Sequence, residues 1–297
     1  MPSLKAIRNR IASTKSTQKI TRAMKMVAGA RLTRAQQRIV AMRPYALKST
    51  EVLQSVARTM NADESRTETV HPLLAVRPEK KALFVVFSAD RGLCGALNTN
   101  INKATERAWN EKQQAGVSVT FATLGRKGRE YLFRRKADVA RDFPRIYDGL
   151  DLKKAESVAR WIATRFERGE CDSVYFVFNE FKSAIVQRVV IERLLPIEST
   201  REATPPGQLA PTDFLYEPSQ RALFERLVPM VIDISVYRAL LESQASFFGA
   251  QMTAMDAATR NAKDMISRLT LVYNRARQAA ITKELMEIIG GAEALKG

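Results

Sequence analysis

The chain has 297 residues, 45% hydrophobic and 27% charged, which is the balance of an ordinary globular protein and not of a disordered one. No apolar run approaches the roughly 20 residues needed to span a bilayer. Two cysteines (Cys94, Cys171) and one histidine (His71) exclude a zinc site built from Cys and His alone. The net charge of +17 is unevenly placed. Residues 1–60 hold thirteen Lys or Arg against the single acid Glu51, whereas residues 220–297 hold ten basic and eight acidic residues. A basic stripe of this kind fits nucleic acid, an anionic membrane or an acidic protein surface.

The N-terminus, "MPSLKAIRNRIAST", is basic without the apolar core or cleavage site of a secretory signal, and its pattern continues into the body of the chain, as expected of a mature cytosolic protein. Reading every 3.5 residues from Leu4 through Ile7, Ile11, Thr14, Gln18, Thr21, Lys25, Ala28, Leu32 and Ala35 to Met60 gives a heptad seam, apolar at both ends and polar in between. The run covers about 57 residues, or about 80–85 Å of helix at 1.5 Å per residue. Such a length in a soluble chain points to a coiled coil. Pro44 is expected to kink or restart the helix.

Residues 61–80 read as a linker, in which His71 is expected to face solvent. "ALFVVFS" (82–88) is an apolar strand of buried type. The turn "ADRGLCG", with Gly92 and Gly95, leads into a helix from about Ala96 to Gln114. A strand (117–124), a basic helix (125–136) and a helix over 152–169 follow. Strands over 173–181 and 184–197, a candidate hairpin, close the middle segment. Alternating strands and helices predict a mostly parallel, Rossmann-like sheet flanked by helices. Residues 198–218 read as a second linker. From Ile234 the heptad returns through Tyr237, Leu241, Phe248, Met255, Ala262, Met265, Leu269, Val272, Ala276 and Ala279 to Met286, with Pro229 a second expected break. Two matching long helices at opposite ends of the chain imply one antiparallel coiled coil. The predicted fold is therefore α/β plus a long coiled coil: 1–60 an N-terminal helix, 61–211 a central α/β domain with its linkers, and 212–297 a C-terminal helix.

Catalytic chemistry is not written into this chain. "DRGLCG" lacks the three-glycine dinucleotide fingerprint, and no acidic residue ends the second strand near Leu124. "GRKGRE" (125–130) lacks the ending of a P-loop. A tight strand-to-helix turn accounts for Gly92 and Gly95 without a ligand. No carboxylate pair, Ser–His–Asp set or metal cluster appears, so no catalytic residue, cofactor or metal is expected. The end of the chain, "ITKELMEIIGGAEALKG" (281–297), is a hydrophobic helix with nothing after it to cover it, stopped at two glycines.

Three long motifs, "IASTKSTQKITRAMKMVAGARLTRAQ" (11–36), "SADRGLCGALN" (88–98) and "AMDAATRNAKDMISRLTLVYNRARQAAITKELMEIIGGAEAL" (254–295), resemble the gamma subunit of F-type ATP synthases, as do "RPYA" (43–46) and "LYEP" (215–218). The resemblance covers the whole length. It implies a coiled-coil shaft inside a hexamer of alternating alpha and beta subunits, with the α/β domain seated alongside epsilon on the membrane ring of c subunits. It further implies a non-catalytic, torque-transmitting subunit that couples ion transport to ATP synthesis or hydrolysis. Such a subunit sits peripherally on the cytoplasmic side of a bacterial inner membrane and meets the membrane only through the c ring.

By the same resemblance, Met24 and Lys25 lie near the acidic lever of a beta subunit. Arg277, Gln278 and Thr282 make rotor–stator hydrogen bonds, and Met286, Ile288 and Ile289 sit in an apolar collar. In "SFFGAQM" (246–252), Phe247 stands where the family usually has an acid and Gln251 where it has an arginine, as expected of an alternate bacterial form. Gly249 is expected to weaken the helix by roughly 1 kcal/mol relative to alanine. The competing reading is a basic coiled-coil nucleic-acid binder, which would show steep salt dependence and aromatic base contacts; the N-terminal helix offers only Tyr45. The rotor reading expects no nucleic-acid partner.

Overall fold

The computed structural model describes residues 3–62, 71–197 and 220–294. Two helices dominate, α1 (Leu4–Ala62) and α5 (Gln220–Ala294), and among the described residues between them lie five strands and three shorter α-helices. The chain divides into two compact units, Met1–Gly29 with Gln251–Gly297, and Ala30–Ala250. The division runs through both long helices. The motif "LYEP" and most of both linkers lie outside the described residues.

The unit of residues 30–250 is built on one sheet of order β3-β2-β1-β4-β5. β1 (Lys81–Phe87) pairs parallel with β2 (Ser118–Leu124) on one side and with β4 (Ser173–Phe181) on the other. β2 in turn pairs parallel with β3 (Val139–Phe143). β5 (Gln187–Leu195) runs antiparallel to β4, in the expected hairpin. The central strand is buried at every residue after Lys81, as the apolar run "ALFVVF" requires of a strand covered on both faces. Aromatic rings fill the two sides, with Phe84 against Phe121 at 6.0 Å and Phe87 edge-on to Phe176 at 5.0 Å.

β3 has no counterpart in the sequence reading. "VARDF" is short, buried only at Phe143 and carries two charges, so it reads as loop; an edge strand tolerates this composition because only one side pairs. β5 starts three residues later than the pattern predicts, since Lys182–Val186 close a turn in which Ser183 N–H reaches Val186 O at 3.0 Å. His71 does not simply face solvent. It is half-buried, and its Nδ1 accepts from Leu73 N–H at 3.2 Å, capping a 3₁₀ turn at Pro72–Leu74.

The helices of this unit are α2 (Leu97–Gln114), α3 (Arg126–Arg134) and α4 (Leu152–Glu167). Asp151 starts α4 by accepting from Lys154 N–H at 2.9 Å, a standard N-cap. Before α3, Gly125 has φ +101°, and a Cβ there would lie 2.1 Å from Ser88 O. That requirement, not phosphate binding, explains the glycine in "GRKGRE". The Ser88 hydroxyl completes the joint, accepting from Gly128 N–H at 2.7 Å and donating to Gly125 O at 3.0 Å.

α1 and α5 both pack onto this unit. The Arg38 guanidinium donates to Leu150 O and to the Tyr237 hydroxyl. Arg238 pairs with Glu192 on β5 at 2.6 Å, and Ser246 donates to Asn179 O at 2.9 Å. Neither Pro44 nor Pro229 restarts its helix. Both prolines lie at exposed positions, and each helix runs through its proline without a break. The Gly290–Gly291 pair likewise does not stop α5, which runs on to Ala294.

Gly249 serves packing more than it harms the helix. A Cβ there would come within 3.3 Å of Ala184 Cα, Ala184 O and the Phe181 ring, and two of those atoms are backbone. Gly249→Ala should therefore destabilise the isolated chain, although helix propensity alone would favour alanine by about 1 kcal/mol. Denaturant unfolding of the two chains gives the sign.

Burial pushes the Asp233 carboxyl on α5 up to about 6, the Glu156 charge acts in the same direction, and Arg160 opposes both. The folded pKa lies above the ordinary carboxylate value, so the native state holds a proton that the unfolded chain releases. Below about pH 4 both states are protonated and the site is neutral in effect; above pH 6 the charge opposes folding. Asp233→Asn should raise the melting temperature at pH 7.5, and the gain should fade as pH falls from 6 towards 4 in a series of thermal melts.

Candidate partner-contact surface

The predicted contact residues all lie in the unit of residues 1–29 and 251–297. Here α1 and α5 pack antiparallel. Lys25 Nζ meets Asp256 Oδ1 at 2.5 Å, the Thr259 hydroxyl donates to Thr21 Oγ1 at 2.8 Å, and Thr14 Oγ1 lies 3.9 Å from Met265 Sδ. The α1 seam falls where the heptads put it: each position from Leu4 to Ala28 is buried or half-buried. On α5 the inward stripe past Ala262 is Ile266, Leu269, Tyr273, Ala276 and Ala280. The sequence reading put Met265, Val272 and Ala279 on the seam; Val272 and Ala279 are exposed, and Met265, about half exposed, still reaches Thr14 across the pair. Apolar side chains at adjacent positions, such as Met265 with Ile266 and Val272 with Tyr273, satisfy either phase, so the periodicity alone does not choose.

Lys25, expected to meet an acidic partner, is held by an acid of its own chain. Asp256 bridges Lys25 and Arg260, the latter at 3.2 Å, and the Lys25 hydrogen bond keeps its carboxyl below the usual range. Met24 beside it is half-buried. Sequence reasoning missed three neighbours, Ile20, Met26 and Val27, which are large, apolar and exposed on α1.

The register of the three cross-helix contacts sets Leu4 opposite the α5 turn around Tyr273–Ala276. The following residues of α5 therefore extend past the described start of α1. Arg277, Gln278 and Thr282 are exposed, as is every residue from Ile281 to Gly291. Met286, Ile288 and Ile289 are 62%, 70% and 52% exposed, and Ile281 and Leu285, which sequence reading did not single out, are exposed with them. Apolar side chains on several faces of one exposed helical stretch do not form an amphipathic stripe against this chain's own core. They form a surface awaiting cover.

In the turn after β1, Leu93 and Gly95 both adopt positive φ, at 62° and 58°. A Cβ on Gly92 would meet no atom within 4 Å. Cys94 is buried there and accepts from the Asn98 amide at 3.3 Å, and burial pushes its thiol up; Cys171 is buried and free as well. Among the described residues no group of His, Cys, Asp and Glu is arranged to hold a metal ion, and no helix is long and apolar enough to cross a membrane.

An antiparallel pair of long helices with an uncovered apolar end, on a chain that also carries a parallel α/β sheet, defines a subunit built for contact with other chains. Residues 3–295 match the ATP synthase family. The chain is 52% identical to the ATP synthase gamma chain of Sorangium cellulosum and 50% identical to that of an Anaeromyxobacter species, each alignment covering the whole of both chains. It belongs to the ATP synthase gamma-chain family. Its fold is similar to the rotor of the Euglena gracilis mitochondrial ATP synthase, with a TM-score of 0.62 at 18% identity over 94% of this chain and 98% of that one.

The Lys25–Asp256 pair is partly exposed on both sides, so its contribution is small and weakens with salt. Lys25→Glu sets two carboxylates together and should lower the stability of the isolated chain slightly at low salt, and Lys25→Glu with Asp256→Lys should restore it. A double-mutant cycle at low and high salt measures the coupling.

Proposed function

We propose that this chain is the central-stalk rotor subunit of a bacterial F-type ATP synthase. In this reading it transmits torque between the ion-driven c ring and the hexamer of alpha and beta subunits, with epsilon as its companion on the stalk. It carries no active site, and nucleotide chemistry belongs to the beta subunits. It is peripheral to the cytoplasmic face of the inner membrane and touches that membrane only through the c ring. The observation that carries the reading is the α5 end, with apolar side chains exposed from Ile281 to Ile289, in a chain that aligns end to end with relatives named ATP synthase gamma chain.

Met286, Ile288 and Ile289 are then the guided tip. Apolar contact suits a turning shaft because it is non-directional, so no single angle is locked. Arg277, Gln278 and Thr282 present donors and acceptors just before the tip, with the Arg277 fork suited to carboxylate or carbonyl acceptors. Met24 and Lys25 form the contact on α1, where a partner carboxylate would compete with Asp256 for the Lys25 ammonium.

The test is a chain lacking residues 286–297. Since the side chains of residues 286–291 are exposed, the isolated truncated subunit should keep its stability within about 1 kcal/mol. Reconstituted with alpha, beta and epsilon, it should assemble more weakly or yield less torque in single-molecule rotation, while nucleotide binding by beta persists. A large loss of stability in the isolated truncated chain, or full torque after reconstitution, overturns the assignment.

A further inference from the structure

We propose that the cavity beyond the carboxyl end of β1 is a binding site for a small monocarboxylate with a flat apolar body. The sheet order makes this place special. β1 is linked through α2 to β2 on one side, while β4 lies on its other side, so the connections diverge at β1. In open α/β sheets, ligands bind outside the carboxyl ends of the strands at such a switch point. Beside the end of β1 the structure has a cavity of about 190 Å³, lined by Ala89–Arg91 just after β1, by Tyr147 and Asp148 in the segment after β3, by Arg31 of α1 and by residues of α5.

Two buried polar groups in its wall have no partner. Ser243, only 5% exposed, and Tyr147 each have a hydroxyl without a hydrogen bond. The two lie near enough for Ser243 to favour the Tyr147 phenolate, yet they do not bond to each other with proper geometry. Burial, reinforced by the Asp90 charge, holds Tyr147 far above its ordinary range, so it is a neutral hydroxyl and a donor at physiological pH. An unmade hydrogen bond on a buried hydroxyl is costly, and a bound acceptor would relieve both.

The rest of the lining selects the ligand. Arg31 and Arg91 offer guanidinium groups with no salt bridge among the described residues. The two acids are already engaged, Asp90 by Arg126 N–H at 3.0 Å and Asp148 by Arg145 Nε at 2.9 Å. Their charges still oppose a polyphosphate, and the volume is below the roughly 300–1,000 Å³ of ordinary ligand pockets, so a nucleotide is disfavoured on both counts. One carboxylate matches two inner hydroxyl donors and two outer guanidinium groups. The Phe247 and Phe248 rings, the latter with Arg31 5.9 Å over it, supply an aromatic wall for an apolar body.

The experiment titrates the full chain with benzoate, by calorimetry and by saturation-transfer NMR, alongside Arg91→Gln and Ser243→Ala. Saturable one-to-one binding is expected, weakened about tenfold or more by either substitution, as for hydrogen bonds to a charged group. Arg91 is exposed, so its variant tests the site even if Ser243→Ala disturbs folding. Absence of saturable binding leaves the cavity as a hydrated pocket and overturns the proposal, as does binding that Arg91→Gln leaves unchanged. Inorganic phosphate or ATP binding as tightly as benzoate overturns the choice of a monocarboxylate.

Discussion

Close approach between two helices from opposite ends of the chain depends on small side chains, and that choice limits how much apolar area the pair can bury. In the unit of residues 1–29 and 251–297, Ala28 is fully buried, Thr21 bonds Thr259, and a Cβ on Gly29 would touch Met252 Sδ at 3.5 Å. An alanine methyl contributes far less than the roughly 1.5–3 kcal/mol of a fully buried leucine or isoleucine. The pair is therefore held in register by directional contacts as well as by burial. Several large apolar side chains, Ile20, Met26 and Val27 among them, remain outside, where an isolated coiled coil has no use for them.

The same helix α5 behaves differently where it covers the sheet. Val228, Ile232, Val236, Leu240 and Leu241 are buried nearly completely. There α5 is apolar on more than one face because the sheet, the β4–β5 hairpin and α1 all pack against it. Gly249 marks the closest of these approaches. Farther along, the helix narrows to a single half-buried stripe, and beyond Ala280 it has no buried position at all up to Gly291. One continuous element thus passes from core helix to coiled-coil strand to uncovered end, and its average amphipathicity describes none of the three.

That heterogeneity explains what was legible in the sequence. Heptad spacing located the α1 seam, whose positions from Leu4 to Ala28 are all buried or half-buried. Apolar runs located β1, β2 and β4, because strands buried on both faces have few alternatives. Edge strand β3 was not legible, since edge position permits the charged composition of a loop. Gly249, read as a weakness, is explained only by Ala184 and Phe181, more than sixty residues away in the chain. The Lys25–Asp256 pair was hidden for the same reason: local charge shows that Lys25 needs an acid but not that its own C-terminal helix supplies one. The cavity beside Tyr147 needed the fold as well, because its polar groups come from four separate segments.

Charge carries the argument furthest beyond the isolated chain. Between residues 3 and 29, α1 has seven Lys or Arg and no acid, and its first turn lacks the acidic residues that would suit the positive end of a helix dipole. The facing half of α5 supplies Asp256 to only one of them, and its own charges nearly cancel. This unit therefore repels itself electrostatically, and helix stability gives no reason for its composition. A free protein would gain by exchanging several of these lysines and arginines for glutamate. Their presence is accounted for when the counter-charge lies on surrounding subunits, close enough to be felt within a Debye length of about 8–10 Å. A charged surface that attracts all around and binds tightly nowhere also suits a shaft that turns.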